Sequence, residues 1–279
     1  MKQHFRSVVA HACLSSGALL MLIPLAWMIL TSLKTFTEVY REPPVWLPQK
    51  PMWSNYVEAL TSFDFALYLR NSLVVVILAI TGTFLSSAMA AYAFARLRAK
   101  GKEAFFILLL STMMLPAQVT VIPVFRMYVS FGWINTLYPM FVPAWLGVNV
   151  FAIFLLRQFF ASIPQDYVDS ARIDGASEWA IIFRVFVALS KPAILTVIVF
   201  TFMGSWNDLW TPLLFVHDQQ LYTLPLALFC FLSKTIGVRG VQWELMMAAS
   251  AIVIIPLIVV FFFSQRYFVE GITMTGLKA

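Results

Sequence analysis

Residues 163–192 read IPQDYVDSARIDGASEWAIIFRVFVALSKP, a charged island between two long apolar runs. Asp166, Asp169, Asp174 and Glu178 are balanced by Arg172, Arg184, Lys191 and, just upstream, Arg157, so the stretch is dense in charge yet nearly neutral. Such a composition belongs in water or against a protein surface. Ser162 stands three residues before Gln165, with Pro164 between them. This pattern predicts a capping box and a helix whose second half carries Val168, Ala171 and Ile173. Asp174-Gly175 then ends the helix, because glycine accepts the left-handed backbone conformation that closes one. Ser177 is placed to cap a second, more apolar helix over 178–187. The reading is helix, sharp turn, helix, and by charge pattern alone it describes a solvated hairpin between two membrane spans.

Working outward, 61% of the 279 residues are hydrophobic and 11% charged, against about 45–50% and 25% in soluble domains. The chain therefore reads as an integral membrane protein. Apolar runs at 8–33, 72–95, 104–128, 138–160, 192–216 and 243–267 each approach the roughly 20 helical residues needed to cross a hydrocarbon core of about 30 Å. They are continuous, without the period-two alternation of a lipid-facing strand, so the expected fold is all-α with six transmembrane helices. Pro116, Pro123, Pro143 and Pro256 mark kinks or breaks within these runs. The first run is longer than the core of a signal peptide and no convincing small-x-small cleavage site follows its apolar core before Lys34, so it reads as an uncleaved span. Residues 96–102, RLRAKGK, carry four bases in seven positions, which assigns that loop to the cytoplasm. Six spans then put both termini and the 160–191 island on the same side. The positive-inside pattern also accounts for the net charge of +6. Nucleic-acid binding is not indicated, since no aromatic interleaving or binding fold accompanies the bases.

The segment 34–70, broken by Pro43-Pro44, Pro48 and Pro51, is an outside extramembrane piece. Its Trp46, Trp53, Tyr56 and Leu60 suit either the membrane interface or a partner surface. A second outside segment, 217–242, contains an apolar stretch at 221–228 too short to span. Cys13 and Cys230 are expected too far apart to join. His4, His11 and His217 form no metal-ligand spacing, so neither a metal site nor a catalytic cluster is expected. The sequence has no phosphate-binding Gly-x-x-x-x-Gly-Lys-Ser/Thr loop, so any ATP and Mg would be bound by other subunits. Polar groups at membrane depth are costly and tend to face a pathway or another helix. The densest set lies in GSWNDLWTP, residues 204–212, where Trp206, Asn207 and Asp208 offer an aromatic face and hydrogen-bonding groups suited to a sugar. The same residues also fit an outer interface belt with Trp210. Asn149 and Gln118 are further pathway candidates, and the hydroxyls of Ser86-Ser87 suit either a pathway or close helix packing.

Asp169-Ser170-Ala171-Arg172-Ile173-Asp174-Gly175-Ala176, followed by Ile182-Phe183 and Leu189-Ser190-Lys191-Pro192, resembles the EAA loop of ABC importer permease subunits, most closely the carbohydrate-importer branch. The Trp206-Asn207-Asp208 run resembles the same span of those permeases, as do Asn71-Ser72, Arg96-Leu97, Gly271-Ile272-Thr273 and Gly276-Leu277-Lys278. Two positions depart from the pattern: Asp169-Ser170 replaces the usual Glu-Ala, and Ala188 the usual proline. The resemblance implies a type-1 importer permease core over 70–267, preceded by a first span with an outside segment over 1–69 and followed by a short cytoplasmic tail over 268–279. It implies that the loop 161–191 holds a coupling helix seated in a cleft of an ATP-hydrolysing subunit, with Asp169, Ser170, Ala171, Asp174, Gly175 and Ala176 at the contact. The implied partners are a second homologous permease, two ABC ATPase subunits and a solute-binding protein. The implied cargo is a sugar, with glycerol phosphate as an alternative. A secondary transporter or channel is the competing class, but it calls for intramembrane ionisable relays or an inverted repeat, and the sequence has neither pattern.

Overall fold

The computed structural model describes residues 2–62, 64–235 and 240–276. Residues 236–239 of the second outside segment and 277–279 of the expected C-terminal tail lie outside the described residues. The apolar runs form helices throughout: α1 Lys2–Ser32, α2 Phe36–Val39, α3 Ser54–Thr61, α4 Phe65–Arg96, α5 Lys102–Ser111, α6 Ala117–Ser130, α7 Tyr138–Trp145 and α8 Val150–Ser162. There follow α9 Gln165–Ile173, α10 Glu178–Ala180, α11 Val187–Leu189, α12 Lys191–Trp206, α13 Trp210–Phe215, α14 Leu224–Thr235, α15 Trp243–Val253 and α16 Ile255–Gly276. No strand occurs among the described residues. Helix α16 therefore carries the sixth run on to Gly276, through most of the stretch expected as a tail.

Four stretches, Val9–Ser32, Phe65–Arg96, Tyr138–Ser162 and Trp243–Gln265, are long and apolar enough to cross a membrane as they stand. The count reaches six when two bent pairs are each taken as one crossing. The first, Lys102–Met114 with Gln118–Ser130, bends by 104° at Pro116, whose ring and missing N–H prevent continuation of the helix. The second joins Glu178–Leu189 to Lys191–Trp206 at 88°. The run expected at 192–216 is interrupted after Trp206, and α13 resumes at Trp210. The fourth crossing is also interrupted, between α7 and α8, where Gly147 takes a φ of +74° and the Asn149 side chain caps the restart by accepting from Ala152 N at 3.0 Å.

The chain forms two compact units, residues 1–65 with 227–256 and residues 66–226 with 257–279. In the first, α15 packs on α1 and α3 around Ala59, Leu245, Ala248 and Ala249. The Asn55 amide donates to Ser32 O and Lys34 O at 2.9 and 2.8 Å, tying the outside segment to the end of α1. The buried Lys34 ammonium lies 4.1 Å over the Trp27 ring. Trp46 and Trp53 stay largely exposed, which suits the membrane interface and a partner surface alike.

The second unit has a core of Ala88, Ala91 and Tyr92 from α4, Leu156 and Phe160 from α8, and Ile181, Phe186 and Val197 from the hairpin and α12. Its polar contacts sort into two ends. At one, the Arg96 guanidinium donates to the carbonyls of Phe160 and Ile163 and to Gln165 Oε1, and Arg157 pairs with Glu103 at 3.0 Å. At the other, Asn71 donates to Gln220 O and Tyr222 O, and Asn135 Oδ1 accepts from His217 N and Asp218 N. The sequence assigns the first group to the cytoplasm and the second to the outside. Between the ends, Gly82 lets α4 approach α7 closely, since a Cβ there would sit 2.4 Å from Trp145 Cδ1. One turn on, Ser86 donates to Ala144 O at 2.7 Å, a helix-packing role that the sequence left open.

Candidate functional site

The island folds as a hairpin, with one correction at its start and two within it. Ser162 belongs to the last turn of α8, so its hydroxyl donates back to Phe159 O at 2.8 Å and does not cap α9. Pro164 holds the N-cap position of α9, with no side-chain cap. Val168 is buried and Ala171 half-buried against the core, but Ile173 is 87% exposed. Five residues on from Val168 it has rotated about 140° round the helix, away from the core. The turn forms as expected: Gly175 takes a φ of +78°, Gly175 N donates to Arg172 O and Ala176 N to Ala171 O, the paired bonds of a Schellman closure. Ser177 accepts from Ala180 N at 3.3 Å, capping the second helix. That helix runs further than expected and contains a π-helical stretch, Ile181–Phe186, before α11.

The six predicted loop residues divide by environment. Ala171 and Ala176 pack on the core beside the closure, while Asp169, Ser170, Asp174 and Gly175 are exposed. Asp169 accepts from Gln165 Nε2 at 3.0 Å, leaving its carboxylate otherwise facing outward. Around these acids stand three large apolar groups that sequence reasoning did not single out for exposure: Tyr167 at 54%, Ile173 at 87% and Trp179 at 59%. Acids interleaved with exposed aromatic and aliphatic side chains make a surface suited to another protein. The hairpin is braced to α4 from behind. Tyr92 Oη donates to Glu178 Oε2, and Glu178 Oε1 accepts from Arg172 at 2.9 Å. That hydrogen bond holds the Arg172 guanidinium above its usual range.

The pathway candidates do not converge. Trp206 is buried and stacks on Phe202 with ring centroids 5.6 Å apart. Asn207 ends α12 and its amide donates to Met203 O at 2.9 Å. Asp208 Oδ1 accepts from Thr211 N at 3.0 Å, opening α13. The two residues thus satisfy the backbone freed where the crossing breaks. Gln118 is exposed on the first turn of α6. Only Asn149 of the five lines an open cavity of about 330 Å³ between α4, α7, the start of α8 and α12, together with Thr83, Thr201 and Ser205, which sequence reasoning missed. The available signal was the Thr201 and Ser205 spacing of four, which puts two hydroxyls on one face of α12. Among the described residues no group of three or more His, Cys, Asp or Glu side chains could hold a metal ion, and Cys13 and Cys230 are free thiols.

Residues 82–274 match the family described as the binding-protein-dependent transport system inner membrane component. The chain belongs to this family. The permease is 32% identical over 267 residues to the arabinooligosaccharides transport system permease protein AraQ of Bacillus subtilis, covering 94% of this chain and 92% of that one. It is 31% identical over 283 residues to the trehalose/maltose transport system permease protein MalG of Thermococcus litoralis, covering 97% and 98%. Its fold is similar to one in the crystal structure of a bacterial ABC transporter involved in the import of the acidic polysaccharide alginate, with a TM-score of 0.82, 22% identity and coverage of 96% and 98%. The permease is an all-α inner-membrane protein with the importer-permease fold.

Proposed function

We propose that the permease forms half of the pathway of an ATP-driven importer for a sugar. A second, similar permease would supply the other half, two ABC ATPase subunits would bind ATP and Mg, and a solute-binding protein would deliver the cargo outside. Both termini and the hairpin would face the cytoplasm. The observation that carries this reading is the hairpin itself. A rigid Schellman turn presents Asp169, Asp174, Tyr167, Ile173 and Trp179 outward, while Tyr92, Glu178 and Arg96 bind its base to α4 and α8. A force applied to that surface by an ATPase would pass into the crossings through buried contacts. The sugar assignment draws support from the cargo named for AraQ and MalG, proteins alike to this one along nearly their whole length.

The test is retention of the ATPase subunit during purification, read beside ATP-dependent uptake of arabino-oligosaccharides, maltose and trehalose. Ile173→Asp and Asp169→Lys are expected to lose the ATPase and uptake together while the permease still inserts. Full retention in both variants would reduce the hairpin to an ordinary solvated connection.

A further inference from the structure

We propose that the cavity between α4, α7, α8 and α12 is where this subunit touches the passing solute, an uncharged polyhydroxylated molecule hydrogen-bonded through Thr201. This inference rests on the importer reading and goes beyond it by placing the contact on residues other than Trp206, Asn207 and Asp208.

Three observations meet at this cavity. The first is Thr201, 8% exposed, whose Oγ1 is buried and has no hydrogen-bond partner among the described residues, although the residue lines the open space. A buried hydroxyl left unpaired is destabilising, and a helical threonine ordinarily avoids that cost by bonding the carbonyl one turn back. Thr196, five residues earlier on α12, does so, donating to Pro192 O at 2.9 Å. Thr201 departs from that habit on the face of α12 that lines the cavity.

The second is the backbone. The interruption between α7 and α8 contributes Val148 and Asn149 to the wall. Non-helical backbone at bilayer depth persists only where protein buries it or a water-filled cavity runs alongside. A lipid chain would satisfy neither this backbone nor the Thr201 hydroxyl.

The third is the chemistry of the lining. Its polar members are the hydroxyls of Thr83, Thr201 and Ser205 and the amide of Asn149, with the Phe200 ring beside them, and among the described residues no ionisable side chain lines the cavity. Hydroxyls both donate and accept, so they match sugar hydroxyls in either sense, and an aromatic ring suits the apolar face of a pyranose. A phosphate-bearing solute calls for a cation or a cluster of donors. The lining therefore selects a neutral sugar over glycerol phosphate. Gly204 keeps the wall flush, since a Cβ there would meet nothing within 4 Å.

The experiment uses the assembled importer with Cys13 and Cys230 replaced by serine. The Thr201→Cys variant is treated with a charged, water-soluble methanethiosulfonate during turnover, beside a Leu108→Cys control at an exposed apolar position of α5. The expected result is labelling at 201 but not at 108, with labelling slowed by whichever of arabino-oligosaccharides, maltose or trehalose the wild type takes up. In parallel, Thr201→Val keeps the shape and removes the hydroxyl, and it should raise the KM for that sugar about five-fold, the size of one net hydrogen bond. Thr201→Ser should restore the wild-type KM, and co-purification of the ATPase would show that all variants assemble. No labelling at 201 overturns the proposal, as does labelling that sugar does not slow together with an unchanged KM in Thr201→Val, even while the wild type imports sugar. A wild type that takes up none of the sugars removes the importer reading and the sugar assignment together. The labelling still decides in that case whether the cavity lies on an aqueous route.

Discussion

Gly175 and Gly82 are both required to be glycine, for different reasons. At Gly175 a Cβ would meet nothing within 4 Å, so a side chain there is opposed only by the left-handed backbone, at roughly 1–2 kcal/mol and more when β-branched. Asparagine tolerates that conformation better than other residues. Uptake and ATPase retention are therefore expected to fall in the order Gly175→Asn, Gly175→Ala, Gly175→Val, with the last close to inactive. Equal behaviour of the asparagine and valine variants would show that the turn's handedness is not what matters. Gly82 lies in ordinary helix, and there the obstacle is Trp145. Gly82→Ala should lower the thermal stability of the purified permease by about 1–3 kcal/mol, the usual cost of overpacking. Trp145→Leu should recover part of it, whereas it should do nothing for Gly175→Val. The sequence made Gly175 legible, because Asp-Gly before a serine cap is a local signal. It was silent on Gly82, whose meaning depends on a tryptophan 63 positions away.

At the scale of elements, α2 carries a capping box in which Thr35 N donates to Glu38 Oε2 and Glu38 N to Thr35 Oγ1. Glu38 Oε1 also accepts from Gln49 N at 3.0 Å, joining the short helix to the loop beyond. These backbone donors, Thr35 first and then Gln49, hold the Glu38 carboxyl below its ordinary value of 4.5. A depressed folded pKa means that the stabilisation is complete above the unfolded value and is lost as pH falls through the folded one. Thermal unfolding followed by circular dichroism should thus show wild type weakening below about pH 4.5. Glu38→Gln should be less stable at neutral pH, since one amide oxygen cannot replace two carboxylate oxygens, and flatter through the acid range. Parallel acid limbs in the two proteins would remove Glu38 from the account. No part of this box was read from the sequence, although Thr35-Phe36-Thr37-Glu38 has its spacing, because the prolines that follow drew the segment into a loop reading. The break at 207–209 was missed, and that at 146–149 was signalled by Pro143 but not located, for a related reason. Hydropathy averages over a window and does not register a backbone that leaves the helix while remaining apolar, and only Gly147, Asn149, Asn207 and Asp208 hint at it individually.

For the whole molecule, the decisive property is which face of the membrane each end of the second unit meets. Of the 19 Lys and Arg residues, 11 fall in the termini, the 96–102 loop and the 157–191 region, and four of these are packed into seven consecutive positions. Positive charge near span ends holds a segment in the cytoplasm, and acids count for little in that bias. Within the second unit the structure joins the 96–102 loop to the start of the 157–191 region, since Arg96 reaches Phe160 O and Ile163 O, while Asn71 and Asn135 hold the 217–222 segment at the other end. An error in the sided assignment would therefore invert the whole set together and could not move one loop alone. Single cysteines at Lys100 and at Ser170 should be protected from an impermeant maleimide in intact cells and labelled after the membrane is opened. Cysteines at Lys50 and His217 should be labelled from outside, each in a background with Cys13 and Cys230 changed to serine. Labelling of Lys100 and Ser170 on opposite faces would break the grouping seen in the fold. Labelling of both from outside would invert the orientation and leave the hairpin unable to reach a cytoplasmic ATPase, removing the coupling role however well the hairpin is built.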